Sequence, residues 1–279
     1  MATARPRKRR KPSPKNPRKG SRPLLRIVFF LLLLGMLVVS ITAAGYIVFF
    51  QTVLAQEVTV QKEGEIVFEE PDPPTHNEDI VTGNSLPGQH PMVALIFDDI
   101  GYNEAQAKRL LNYPITINYS FLPFAPYTRK LEALANRSGK TILLHLPLEP
   151  RNYDWKPGPG TIYLHDSPEV QRDKFIHCLA EVPHANGVNN HMGSRFTEDE
   201  FAMNHLMKLI GEHGLFFVDS FTTAKSVGYQ IARKLQVKSG KRQVLLDNDL
   251  DQQRICGQLE KLVDIAEKRG KAIGIGHPH

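Results

Sequence analysis

The 279-residue chain has only two cysteines, Cys178 and Cys256, and no Cys-x-x-Cys pair. A cysteine-based metal or redox site is therefore excluded, and one pair would make no disulfide framework. Both cysteines fall on helical patterns. They read as buried free thiols or, in an oxidising compartment, as a single disulfide. No Gly-x-Ser-x-Gly elbow is present, which argues against a serine hydrolase of that type. No Gly-rich phosphate loop occurs, and no internal repeat is visible. Residues 1–26 hold no acid at all, and residues 27–50 hold no charge of either sign.

Those last two absences shape the reading of the N-terminus. The formal net charge is +6, but residues 1–26 carry eleven Lys or Arg, which leaves 24 basic against 29 acidic residues in the remainder. The basic character belongs to a tail. The uncharged run Ile27–Phe50 is 24 residues long, longer than the roughly 20 that a helix needs to cross a bilayer. A basic flank before such a run holds that end in the cytoplasm and sends the rest across. The competing reading is a cleaved signal peptide, with Val53-Leu54-Ala55 as its cleavage site. The run is long for that purpose, so residues 27–50 are predicted to be a transmembrane signal anchor. A nucleic-acid role for the tail is set aside, because the hydrophobic span follows directly.

Residues 51–90 hold eight acids, one Lys and four prolines. Low hydrophobicity with charge of one sign predicts a disordered linker, with room for a short strand at 65–68. From Pro91 the pattern changes to short apolar runs alternating with helical ones. Strands are predicted at 92–98, 115–121, 140–145, 185–190, 215–219, 243–247 and 271–276. Helices are predicted at 103–112 and 127–137, after Ser167-Pro168, from the capping box Thr197-Glu198-Asp199-Glu200 to Gly214, and at 223–236 and 251–269. About seven β/α units in residues 91–279 suit an incomplete parallel barrel better than a doubly wound open sheet. No helix follows the last strand, so the domain is expected to be truncated at its C-terminus.

Six apolar runs end on a residue able to bind a metal or move a proton. Chemistry in parallel α/β folds sits at the carboxyl ends of strands. Asp98-Asp99 follows Val93–Phe97, and Gly101 allows the turn that two adjacent side chains need to share one site. Adjacent carboxylates repel unless a cation neutralises them, so the pair points to a metal with one Asp as ligand and the other as base. The plainer account is a lead-in to a helix cap at Asn103, with one Asp solvated. His145 ends the third strand as a candidate ligand. Glu149 is four residues on, roughly 13 Å along a straight strand, and reads as loop structure, ligand or support for one.

Asn189-Asn190-His191-Met192-Gly193-Ser194 follows the fourth strand. Two amides and an imidazole are costly to bury unpaired, so a site that uses them is the better account than a plain loop. Arg195 is either an anion clamp or solvated. Asp219 and Asp247 end later strands, where each could orient a histidine, bind the ion or cap a helix; Asp219 is favoured for the site and Asp247 for the scaffold. His277 ends the last strand after Gly274-Ile275-Gly276 and is well placed as a general acid. His279, the last residue, is assigned no role. A phospho-receiver is excluded because the third strand ends in His and no late strand ends in Lys.

In this order, Ile96-Phe97-Asp98-Asp99-Ile100-Gly101, His145-Leu146-Pro147-Leu148-Glu149-Pro150, Asn189-Asn190-His191-Met192-Gly193-Ser194, Phe217-Val218-Asp219-Ser220 and Gly276-His277 resemble the divergent polysaccharide deacetylase family. The resemblance covers residues 91–279. It implies a deformed (β/α)7 barrel with a divalent metal, usually zinc. It implies Asp98 as base, Asp99 and His145 as ligands, and His277 as acid. The second His of the family's His-x-x-x-His motif is Glu149 here, and an Arg-x-Pro motif on the fourth strand is replaced by Asn-Asn-His, so His191 is the candidate third ligand. Asn189, Asn190, Ser194, Asp219 and Glu149 remain supporting or substrate-facing candidates. The expected activity is removal of N- or O-acetyl groups from an envelope polysaccharide, by a domain held at the bacterial inner membrane and facing the periplasm. The alternative is a catalytically altered glycan-binding or envelope-assembly module on the same barrel.

Overall fold

The computed structural model describes residues 27, 31–37, 40 and 90–279. Residues 31–37 are helical, and among the described residues no helix is long and apolar enough to cross a membrane. The basic tail, the rest of the span expected at 27–50, and the linker with its strand at 65–68 lie outside the described residues.

From His90 onward the chain alternates strands and helices. The strands are β1 (Met92–Ile100), β2 (Asn118–Phe121), β3 (Thr141–Leu148), β4 (Gly187–Met192), β5 (Phe216–Asp219), β6 (Ser239–Lys241), β7 (Val244–Leu245) and β8 (Lys271–Gly276). The helices are α1 (Glu104–Leu111), α2 (Thr128–Arg137), α3 (Pro168–Glu181), α4 (Glu200–Glu212), α5 (Gly228–Lys234) and α6 (Gln252–Arg269). Every strand pairing is parallel, and the order across the sheet is β6-β5-β4-β3-β2-β1-β8-β7.

The two edges of this sheet, β6 and β7, are separated in the chain by Arg242 and Gln243 alone. A chain that short cannot cross a flat sheet of eight strands. The sheet therefore curls until its edges meet. A Cβ added to Gly240 on β6 would stand 2.5 Å from Ile273 Cδ1 on β8, so the seam closes by direct packing. The strand expected at 243–247 is thus one bent run, 239–245. Its first half pairs with β5 and its second half with β8.

Alternation along each strand sorts the apolar side chains into two sets. Ile96, Leu143, Val218 and Ile275 cluster with Phe216 and Ile273 inside the curl; they come from β1, β3, β5 and β8. Tyr119, Phe121, Leu144, Leu146, Val188 and Phe217 face outward. They pack on Leu131, Phe175, Met203, Leu206 and Ile210 of the helices. Val244, Leu246 and Ala272 form a separate cluster with Leu262 and Ala266 of α6.

The helix starts follow side-chain caps. Asn103, Ser167 and Asp251 accept hydrogen bonds from the first-turn amides of α1, α3 and α6, and Gly270 closes α6 in the left-handed region. The capping box at Thr197 does not form. Asp199 caps α4 by accepting from Ala202 N, Thr197 and Glu198 lie in a single 3-10 turn, and the buried Thr197 hydroxyl has no partner. No disulfide forms. Cys178 is buried and Cys256 exposed, both as free thiols, and burial pushes the Cys178 thiol up to about 12.

Candidate metal centre and active site

The site is built where β1, β3, β4 and β8 end. Ile96 points into the curl, so strand alternation also brings Asp98 inward, where it is 2% exposed. Alternation alone would turn Asp99 the other way. Its backbone instead adopts the left-handed region at φ 57°, and the register with β2 shifts between Phe97 and Ile100. Asp tolerates that conformation better than most residues. This kink re-aims the Asp99 carboxylate, so both acids face one site. Gly101 completes the turn at φ 145°, against Thr128 and Ala125, with no room for a Cβ.

Three donor atoms converge there. Asp99 Oδ1 lies 3.2 Å from His145 Nε2 and 2.9 Å from His191 Nδ1, and the two ring nitrogens are 3.2 Å apart. Asp99 Oδ1 is buried, with no hydrogen bond aligned on it. Four ligands set about 2.0–2.1 Å from a tetrahedral zinc stand roughly 3.3 Å from one another. The triangle is close to one face of such a tetrahedron, and its two nitrogens and one carboxylate oxygen are donors that suit zinc. Asp99, His145 and His191 therefore fit a divalent metal. Burial pushes the Asp99 carboxyl up, but His191, His145 and His277 prevail and hold it well below the usual carboxylate range. Burial likewise pulls the His145 imidazole down, and Asp98 and Asp99 more than offset it, so its pKa is raised.

Asn189 joins these groups across the interior. Its Nδ2 donates to Asp98 Oδ1 and Oδ2 at 2.8 and 3.0 Å, with Ser220 Oγ at 3.1 Å. Its Oδ1 accepts from Ser120 Oγ and lies 3.1 Å from His145 Nδ1. An Nδ1–H directed at that oxygen leaves the Nε2 lone pair facing Asp99, the tautomer that a metal ligand needs. Asp98 Oδ2 is itself 3.7 Å from His145 Nε2. One amide thus orients the candidate base and a candidate ligand together.

His277 closes the other side. Its Nε2 is 4.0 Å from Asp99 Oδ2, and its Nδ1 is 3.2 and 3.1 Å from the Asp247 oxygens. Burial pulls the imidazole down, but Asp247, Asp99 and Asp98 outweigh it and raise its pKa to about 9. Burial pushes Asp247 up, yet its contacts with His277 and His279 hold it far below the usual carboxylate value.

The remaining candidates lie elsewhere. Glu149 is 3% exposed; its Oε2 accepts from Leu164 N at 2.6 Å, and its Oε1 is 3.4 Å from Arg195 Nε. It ties the end of β3 to the following loop. Arg195 also stacks over Tyr153 at 5.2 Å. Asn190 braces β4 against β5, donating to Met192 O and accepting from Ser220 N. Ser194 Oγ accepts from Arg151 N. Asp219 faces outward, because Val218 beside it faces inward. Its carboxylate accepts from Ser226 Oγ, Phe221 N and Tyr229 N, and burial raises its pKa despite those bonds. The preference for Asp219 over Asp247 is therefore reversed. His279 also differs from expectation: its Nε2 is 3.0 Å from Asp247 Oδ2. Ser120 and Ser220, both hydrogen-bonded to Asn189, carry no role in the sequence reading, although Ser220 stands in the Phe217–Ser220 motif. The one signal for Ser120 was a hydroxyl between Tyr119 and Phe121 in an apolar strand.

The sequence matches the divergent polysaccharide deacetylases over residues 95–279, and the chain belongs to that family. It is 32% identical over 191 residues to the uncharacterized protein YibQ of Escherichia coli K12, covering 67% of this chain and 58% of that one. It is 35% identical over 186 residues to an uncharacterized protein of Haemophilus influenzae, covering 67% and 66%. The chain thus spans less than two thirds of the length of both relatives. Among solved structures, an uncharacterized protein from Agrobacterium tumefaciens C58 superposes with a TM-score of 0.66 at 28% identity, covering 70% of this chain and 80% of that one.

Proposed function

We propose that this divergent polysaccharide deacetylase is a metal-dependent hydrolase that removes N- or O-acetyl groups from an envelope polysaccharide. The observation that carries the reading is the convergence of Asp99 Oδ1, His145 Nε2 and His191 Nδ1 between a buried carboxylate, Asp98, and an imidazole backed by a carboxylate, His277. Three protein ligands that leave a position open are the pattern of catalytic rather than structural zinc. A divalent cation held there, zinc in this reading, would polarise the acetyl carbonyl and lower the pKa of water.

The protein's own groups divide the proton traffic. Asp98, fixed by Asn189 Nδ2, accepts a proton from the attacking water. His277 holds its Nδ1 toward Asp247 and presents Nε2 to the site. From Nε2 it donates a proton to the departing sugar amine or hydroxyl. Acetate and the deacetylated glycan are the products. The partners of this reading are a glycan substrate and a membrane. Residues 27–50 anchor the chain in the bacterial inner membrane, residues 1–26 stay in the cytoplasm, and the barrel faces the periplasm. The run of basic residues before the uncharged segment supports that orientation.

The test is acetate release from acetylated envelope glycans by the zinc-loaded full chain and its Asp98→Asn variant. The reading expects a loss of about 10²–10⁴-fold in kcat, the usual worth of a general base, with metal content unchanged. Equal release by the two proteins would sink it. Saturable glycan binding by the wild type without any acetate would assign the chain to the binding or assembly role.

A further inference from the structure

We propose that Asp247, His277 and His279 form a second, weaker divalent-cation site, and that filling it inhibits the hydrolase. The inhibition, though not the site, rests on the reading of His277 as proton donor.

Parallel register places Leu245 of β7 opposite Ile275 of β8. Two residues beyond each, Asp247 and His277 come together, and the His277 backbone N–H donates to Asp247 Oδ2 at 2.5 Å. His277 Nδ1 lies 3.1 Å from that same oxygen, and His279 Nε2 lies 3.0 Å from it. One ligand atom from each of the three residues lies within 4.8 Å of the others. A proton donor needs one carboxylate to orient its ring; His277 has that in Asp247. The second imidazole adds nothing to the task. A carboxylate and two imidazoles converging on one point is instead a zinc donor set. The His279 side chain is 32% exposed, so a solvent-borne ion reaches the site without passing the inner triad.

The consequence for turnover follows from the shared ring. A cation on His277 Nδ1 takes the position of the proton that faces Asp247, and that proton leaves to solvent. A ring held by an ion no longer cycles between imidazolium and imidazole, so it supplies no proton to the leaving group. Activity therefore rises as the inner triad fills and falls as the outer one does.

The experiment strips the full chain of metal and titrates it with Zn²⁺ alone, followed by equilibrium dialysis and metal analysis. Wild type takes up a tight equivalent and then a weaker one. His279→Ala keeps only the tight one, and Asp99→Ala keeps only the weak one. Acetate release by wild type rises and then falls with free Zn²⁺, while His279→Ala rises without the fall. A single equivalent in wild type, or a second equivalent that survives His279→Ala, overturns the site. A fall that persists in His279→Ala overturns the inhibition. Stoichiometry is read without turnover, so a failure of the hydrolase reading and a failure of this site are told apart.

Discussion

A buried imidazole normally prefers to be neutral, because charge is costly away from water. His277 is held cationic to about 9 because Asp247 meets its Nδ1 and Asp99 and Asp98 lie close by. In the metal-free protein this is also a stability statement. A histidine raised above its ordinary 6.5 contributes stability that is complete below that value and lost as pH rises through about 9. Asp247, held low, contributes stability that disappears only as pH falls through its depressed value. The Asp247–His277 pair is thus strongest in mildly acidic solution, between the ordinary Asp value of 3.8 and the ordinary His value of 6.5, and weakens steadily as pH rises toward about 9. Asp247→Asn should lower the melting temperature of the metal-free protein in that window, and the gap to wild type should narrow as pH rises from 6.5 through about 9. A gap independent of pH would show that the pair is not ionic. At this scale, chain alternation made much of the site legible. Asp98 and Asn189 share the parity of inward Ile96 and of the residue beyond outward Val188. Asp99 does not follow parity, because a left-handed kink re-aims it. Asp219 obeys parity: its inward neighbour Val218 turns it outward, away from the site expected for it.

Elements were legible where a local rule sets them. Ser167-Pro168 and Gly270 mark helix ends by backbone chemistry that needs no distant partner. The strand expected at 243–247 contains β7, but β6 just before it has no expectation of its own, because the pairing partner changes between the two: β6 lies on β5 and β7 on β8. That switch is a property of closure and has no period of its own. Thr197 and Asp199 both precede α4 and both can cap, and only packing decides. Asp199 accepts from Ala202 N, so Asp199→Ala should cost about 1 kcal/mol, the usual worth of such a cap. The Thr197 hydroxyl is buried and unpartnered, so Thr197→Val, which keeps the shape and removes the polar atom, should be neutral or stabilising. Urea unfolding of the two variants checks the assignment. A larger loss for Thr197→Val than for Asp199→Ala would reverse it.

Over the whole molecule, charge divides the chain more sharply than composition suggests. Eleven basic residues precede an uncharged run, and the remainder is net acidic. An anchored hydrolase with that polarity should need detergent, not salt, for release from membranes. Protease added to spheroplasts should degrade its barrel domain. Salt-soluble protein, or a barrel protected in intact spheroplasts, would contradict the proposed placement. The network around Asn189 could not be read from the sequence, because its bonds reach β1, β2, β3 and the end of β5 at once. Those strands become neighbours of one amide only when the sheet curls. The central claim is that Asp99, His145 and His191 are metal ligands. Metal analysis of the dialysed full chain tests it most directly. Wild type should retain a tightly bound divalent metal and Asp99→Ala should retain none at that site after dialysis; stoichiometric zinc surviving dialysis in the folded Asp99→Ala protein would contradict it.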